Sequence, residues 1–291
     1  MKKSELLILL TLKRMKLYKD KELINLYTNT SSSQISHHTN FDTKLNSDEL
    51  EHSKKILDFC EKENIRVITY FDSNYPKKLK NLSSPPIVLF MKGNLELINL
   101  PSIAMVGSRN SSSQALEWTY DASKKIASCG FVIISGGARG IDSYAHKGAL
   151  ESHGKTICVL GSGFSNIYPN DNKPLIDSIM KQGLVITEYL PEVHVNRFSL
   201  LERNKITSGL SDKVLLVAAT IKGGAMSQFR VALSQKKHIF CPSVSLKLEP
   251  TAGITEILNN YKTVHSINEV EDIFNPKHNS EDQHDLLEAY C

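Results

Sequence analysis

Asp142 and His146 stand four residues apart in the stretch ISGGARGIDSYAH (134–146), a spacing that puts a carboxylate and an imidazole on one side of a helix. Such a pair can begin an acid/base or metal site. No third ligand or nucleophile accompanies it, so the expected roles are supporting ones: Asp142 complements the first helical turn, and His146 hydrogen-bonds beneath the preceding loop. Anion binding is better supported. Four turns are rich in glycine and serine: VGSRNSSS (106–113), SGGARGID (135–142), LGSGFSN (160–166) and TIKGGAMS (220–227). Glycine lets a backbone approach a ligand closely, and a helix that follows directs unpaired N–H groups and a positive dipole end at an anion. The candidates are Gly107, Ser108 and Arg109 in the first turn, Ser135, Gly136, Gly137, Arg139 and Gly140 in the second, and Gly161 and Gly163 in the third. The two arginines can grip a phosphate through a planar fork or stack on a base. One such turn alone also serves close strand–helix packing; four on one rim with two arginines favour phosphate.

The elements that must position these turns are legible as periodicity. Short apolar runs at 65–70, 87–91, 103–106, 131–134, 156–160, 184–187, 214–218 and 238–241 alternate with helix-length segments. Several runs are apolar at consecutive positions, as in strands buried on both faces of a parallel sheet. Amphipathic stretches lie between them, such as 112–129, which ends at Gly130. The pattern predicts an α/β fold, a doubly wound and mainly parallel sheet with right-handed crossovers, whose ligands bind beyond the carboxyl ends of the strands. Before it, Leu6, Leu9, Leu10 and Leu17, then Leu23, Ile24, Leu26 and Tyr27, predict helices, and a further helix runs from Asn46, boxed by Glu49, to Asn64. The polar stretch between them carries adjacent His37 and His38, which point apart and suit a solvated loop better than a metal. The expected division is a small helical domain over 1–62, the sheet domain over 63–275 and an acidic tail over 276–291.

Composition narrows the classes. The chain has 291 residues, 41% hydrophobic and 23% charged, ordinary for a globular protein. Its leucine-rich start is interrupted by Lys13, Arg14 and Lys16, and no other apolar run approaches the ~20 residues that span a bilayer, so no membrane partner is expected. Five cysteines, odd in number and without a C-x-x-C, indicate neither a disulfide framework nor zinc, and the expected compartment is the cytoplasm. The net charge of +4 is spread as mildly basic through residue 268 and acidic beyond it, which allows an anionic partner but not a broad duplex-coating face. No turn reads G-x-G-x-x-G or G-x-x-x-x-G-K-[ST], against a nicotinamide or flavin enzyme and a P-loop ATPase. No cofactor, metal or catalytic set is expected.

Taken together in order and spacing, YPKKLKNLSSPPIVLFMKG (75–93), VGSR (106–109), SGGARGIDSYAHKGAL (135–150), KTICVLGSG then YPN (155–170), and RNKITSGLS (203–211) resemble the DprA/Smf family, DNA-processing proteins of natural transformation. The resemblance covers roughly residues 60–270. It implies an extended Rossmann domain that binds single-stranded DNA, forms homodimers and helps load the RecA recombinase, without enzymatic activity. It implies too that Arg109, Gly136, Gly137, Arg139 and Gly140 line the strand's phosphates, with Arg203, Asn204 and Lys205 from the RNK segment beside them.

Several positions depart from the family pattern. Leu200, Leu201 and Lys205 replace the Phe, Pro and second Arg of FPxRNR; Val217-Ala218-Ala219 stands for VEA; GGAMSQF (223–229) for SGSLxTA; and Cys241-Pro242-Ser243 for VPG. Only 15 residues follow Pro276, too few for the winged helix many members carry. Two other readings of the cleft stay open at this level. One is a sensor of a nucleotide-derived signal. The other is a phosphoribohydrolase resembling the LOG proteins, whose PGGxGTxxE reads here with Met226, Ser227 and Arg230 in place of Gly, Thr and Glu, and so without its acid.

Overall fold

The computed structural model describes residues 1–29 and 47–274. The expectations for His37, His38, Asn46 as a cap, and the acidic tail lie outside these residues. In chain order come α1 (Lys3–Met15), α2 (Asp20–Asn29), α3 (Ser47–Lys62), β1 (Arg66–Thr69), α4 (Lys77–Lys80), β2 (Val88–Gly93), β3 (Ser102–Val106), α5 (Ser113–Ser128), β4 (Val132–Gly136), α6 (Ile141–Glu151), β5 (Thr156–Val159), α7 (Lys173–Gln182), β6 (Leu184–Thr187), α8 (Arg197–Glu202), α9 (Asn204–Leu210), β7 (Lys213–Leu216), α10 (Gly224–Ser234), β8 (His238–Pro242), α11 (Ala252–Asn260) and β9 (Val264–Ile267).

All nine strands form one sheet in the order β1-β2-β6-β5-β4-β3-β7-β8-β9. From β6 to β9 every neighbouring pair is parallel, while β2 runs antiparallel to both β1 and β6. The sheet is thus mainly parallel, as expected, with β2 alone reversed and β1 lying again along the series. Consecutive apolar residues report burial on two faces, not direction, and the β1–β2 connection holds only the single turn α4 instead of a crossover helix. Strand β9, with Val264 and Ile267 buried, His265 half-buried against Phe240 and Ser266 exposed, is too short and polar to stand out in the sequence. The chain winds one way from β3 through β6 and the other way from β7 to β9, so the topological switch lies between β3 and β7.

Side chains alternate between the faces of the sheet. Ile103, Met105, Ile133 and Leu215 pack with Ala115, Ala122, Ile126, Ala145 and Ala149 of α5 and α6, while Ala104, Val106, Ile134 and Leu216 pack with Ile206, Leu210, Met226, Phe229, Ile254 and Ile257 of α9, α10 and α11. Helix α5 is capped by the Ser112 hydroxyl, which accepts the Ala115 N–H at 3.2 Å, and it ends before Gly130 at φ +87. Helices α1–α3 do not stand apart from the sheet. Leu9, Leu10, Leu12, Leu23, Ile24 and Ile56 share one buried cluster with Val88, Phe90, Cys158 and Val185. Asp20 ties the seam, accepting the Ile87 N–H at 3.1 Å and pairing with Lys13 at 2.9 Å. No helix among the described residues is long and apolar enough to cross a membrane.

Helices α5 and α6 approach closely because Gly148 has no Cβ, and one built there would overlap the Tyr120 carbonyl. Gly148→Ala should lower stability by about 1–3 kcal/mol through overpacking, read as a lower urea midpoint at unchanged slope.

Candidate nucleic-acid interface

At the switch point the turns after β3, β4 and β7 touch one another. The Ser108 N–H donates to the Ala218 carbonyl at 2.8 Å, and the Ile141 N–H to the Ser108 carbonyl at 3.3 Å. Gly140 is at φ +77, in the left-handed region, and a Cβ there would overlap the carbonyls of Ser108 and Arg109. Gly107, Ser108, Arg109, Arg139 and Gly140 are thus brought together, the arginines exposed and the other three half-buried. Arg109 is exposed with no side-chain partner among the described residues; Arg139 is exposed and pairs with Asp171 across the rim. Gly137 is buried, and its carbonyl and that of Ala138 are held by the Asn172 amide at 3.0 and 2.9 Å.

Other expected contacts are turned inward. The Ser135 hydroxyl is buried and donates to the Met105 carbonyl at 2.6 Å, locking β4 to β3 instead of meeting a ligand. Arg203 is buried under Gly136, with Nη2 on Asp142 at 3.1 Å and Nη1 on the Val159 carbonyl at 3.3 Å. A Cβ at Gly136 would overlap that guanidinium, so this glycine is explained by the arginine behind it. Asn204 is buried at the start of α9 and also lies away from the surface. Lys205 pairs with buried Glu188 at 3.1 Å and with Glu202 at 3.5 Å. Burial pushes the Glu188 carboxyl above the ordinary range, offset in part by Lys205 and Lys13. The RNK segment reads as surface charge in the sequence, but α9 starts there and packs against the sheet, which draws its polar heads under the loop. Gly161 and Gly163 are likewise buried, the latter donating its N–H to the Val193 carbonyl at 2.9 Å.

The supporting pair is arranged beneath this loop. His146 is fully buried, with Nε2 2.9 Å from the Gly136 carbonyl and Nδ1 2.7 Å from the Thr156 hydroxyl. A carbonyl only accepts, which puts the ring proton on Nε2 and leaves Nδ1 as acceptor. Asp142 is committed to Arg203, so neither residue is free to act as an acid or base on a ligand. Ala218 and Ala219, where the family pattern carries a carboxylate, are buried within the sheet's carboxyl end, whereas Gly223 and Gly224 at the head of α10 are open to solvent.

Apolar side chains on the same rim escaped the sequence reading. Tyr168, Phe198, Ile221 and Val244 are exposed by 49%, 78%, 51% and 37%, and they follow β5, β6, β7 and β8 respectively. Exposed Arg197 and Lys222 stand next to Phe198 and Ile221. For Phe198 and Ile221 the available signal was an apolar residue beside a cation in a polar stretch beyond a strand's carboxyl end; Tyr168 and Val244 carry no such neighbour, and periodicity says nothing of isolated positions.

Burial pulls the His146 pKa from 6.5 to about 4. A depressed histidine is neutral when folded but charges when unfolded, so its contribution is full above about pH 6.5 and fades as pH falls toward 4. The loss approaches about 3 kcal/mol. Urea titrations at pH 7, 5.5 and 4.5 should show a pH slope in the parent chain that His146→Gln flattens, even though the variant is less stable at pH 7.

Comparison with known proteins accords with this geometry. The family model described as DNA recombination-mediator protein A matches residues 66–277. The chain is 34% identical over 223 residues to the DNA processing protein DprA of Bacillus subtilis, covering 76% of this chain and 74% of that protein. It is 37% identical over 169 residues to DprA of Streptococcus pneumoniae, covering 58% and 60%, and 32% identical over 210 residues to protein Smf of Synechocystis, covering 71% and 53%. Among solved structures, S. pneumoniae DprA superposes with a TM-score of 0.68 at 26% identity over 92% of each chain. Helicobacter pylori DNA processing protein A, solved for its single-stranded DNA binding mode, superposes with a TM-score of 0.66 at 29% identity over 73% of this chain and 94% of its own. With all nine strands of its sheet inside the matched region, this chain belongs to the DprA/Smf family of DNA recombination mediators.

Proposed function

We propose that this chain is a DNA-processing protein of transformation and recombination that holds single-stranded DNA along the carboxyl rim of its sheet, without catalysis. The observation that carries the reading is the interleaving of exposed Tyr168, Phe198, Ile221 and Val244 with exposed Arg109, Arg139, Arg197 and Lys222 on one edge. Bases stack on the rings of Tyr168 and Phe198, Ile221 and Val244 add apolar contact, and cations follow the backbone, which gives affinity without sequence preference. A site for a small nucleotide would instead enclose its ligand, and this row is spread over four successive loops. The internal commitments of Asp142 and His146 support binding over hydrolysis. Protection of the strand, assistance to RecA loading and pairing into a homodimer belong to the same proposal through family membership.

Fluorescence anisotropy with oligothymidylate across a salt series tests it. Arg109→Ala and Arg139→Ala should each weaken binding and make the log–log salt slope shallower by about 0.7, the release expected for one phosphate of a single strand. Phe198→Ala should cost about 1–3 kcal/mol of affinity with the slope unchanged, because stacking releases no counterion. Binding by all three variants equal to the parent's overturns the reading.

A further inference from the structure

A second feature lies off the rim, down the outer side of α9. An open groove of about 970 Å³ runs between α4, α9 and the end of α10, with Lys78, Lys205, Lys236 and Lys237 among its lining against Glu202 and Asp212. Helix α4 adds exposed Lys77 and Lys80 at its border. Acids offset part of this charge: Asp212 accepts the Ser102 N–H at 2.9 Å and pairs with Lys78 at 2.6 Å, and Lys205 meets Glu202 at 3.5 Å and Glu188 at 3.1 Å. Lys237 donates to the carbonyls of Ser211 and Gly209 at 2.6 and 3.3 Å, contacts that keep its charge, and Lys236 beside it is exposed with no partner among the described residues. Burial, then the nearby charge of Lys78, holds Lys237 below the ordinary lysine range. The charge left without an acidic partner among the described residues, Lys236 and Lys237 in the groove and Lys77 and Lys80 at its border, suits a polyanion.

The groove is joined to the rim by α8. Leu201 and Glu202 line its upper end, and on a helix they share a face with Phe198, three and four residues earlier. Lys205 lies in the first turn of α9, and the helix then carries the groove about 10 Å toward the amino ends of the strands. A strand leaving the exposed ring of Phe198 meets this trough next.

We propose that the lysine groove along α9 is a second track for nucleic-acid backbone, entered by single-stranded DNA that continues past Phe198. The inference rests on the rim reading above, and the test separates the two. Oligothymidylates of about 5 and about 15 nucleotides span the rim alone and the rim plus groove. Ser234→Glu and Lys236→Glu place negative charge at exposed groove positions, where neither side chain supports the core. Each should weaken the longer oligomer about fivefold to tenfold and make its salt slope shallower, leaving the shorter one unchanged. Arg109→Ala should weaken both lengths. Equal loss at both lengths with the glutamate variants, or no loss at either, overturns the groove. Should Arg109→Ala change neither length while Lys236→Glu still weakens the longer, the rim reading fails and the groove stands.

Discussion

The rim keeps its shape because of one buried ion pair. The guanidinium of Arg203, brought in by the start of α9, lies beneath Gly136 and joins Asp142 on α6 to the Val159 carbonyl at the end of β5. Three elements that approach the carboxyl edge from different directions are thereby fixed to one point. Taking such charges out of water is expensive, and Arg203 Nε has no hydrogen-bond partner among the described residues, so the pair is better read as a device for position than for net stability. Removing one member would leave the other uncompensated in the interior, an effect of about 3–5 kcal/mol. His146 completes the support by holding the Gly136 carbonyl from below.

This inward arrangement explains which parts of the site were legible in the sequence. Gly107, Ser108, Arg109, Arg139 and Gly140 combine a turn-forming pattern with a cation, and the structure brings them together with the two arginines exposed and the other three half-buried. Ser135 and Arg203 carry the same residue types but are consumed by partners 30 and 61 positions away, Asn204 is buried as α9 packs on the sheet, and Lys205 is drawn to Glu188 at the end of β6, relations that a turn pattern does not contain. The fold was more accessible, since strands buried on both faces leave continuous apolar runs. Direction was not: β2 reads like any parallel strand, and only the short connection from β1 and its place beside β6 make it antiparallel. The row of Tyr168, Phe198, Ile221 and Val244 was hard to find because exposure more than identity sets those residues apart, and only Phe198 and Ile221 have a cation next to them to mark the place.

Departures from the family pattern also find a physical setting. Lys205, where a second arginine is usual, meets Glu188 with a single ammonium contact, and Glu188 Oε1 is left without a partner where a guanidinium fork could reach both oxygens. Ala218 and Ala219 sit in the sheet's closed end and contribute backbone to the switch point, the former through its carbonyl to Ser108 and the latter to Gly253. The altered residues thus thin the polar interior behind the rim while leaving its outward cations in place.

Helices α1–α3 lie over Val88 and Phe90, and Asp20 grips the backbone at Ile87. Trimming the chain to its sheet portion would strip a lid from an oily wall, and the fragment would be prone to clump. Any minimal version built for crystallography or engineering must therefore carry these leading helices, or replace the skin they provide with polar substitutions on that wall.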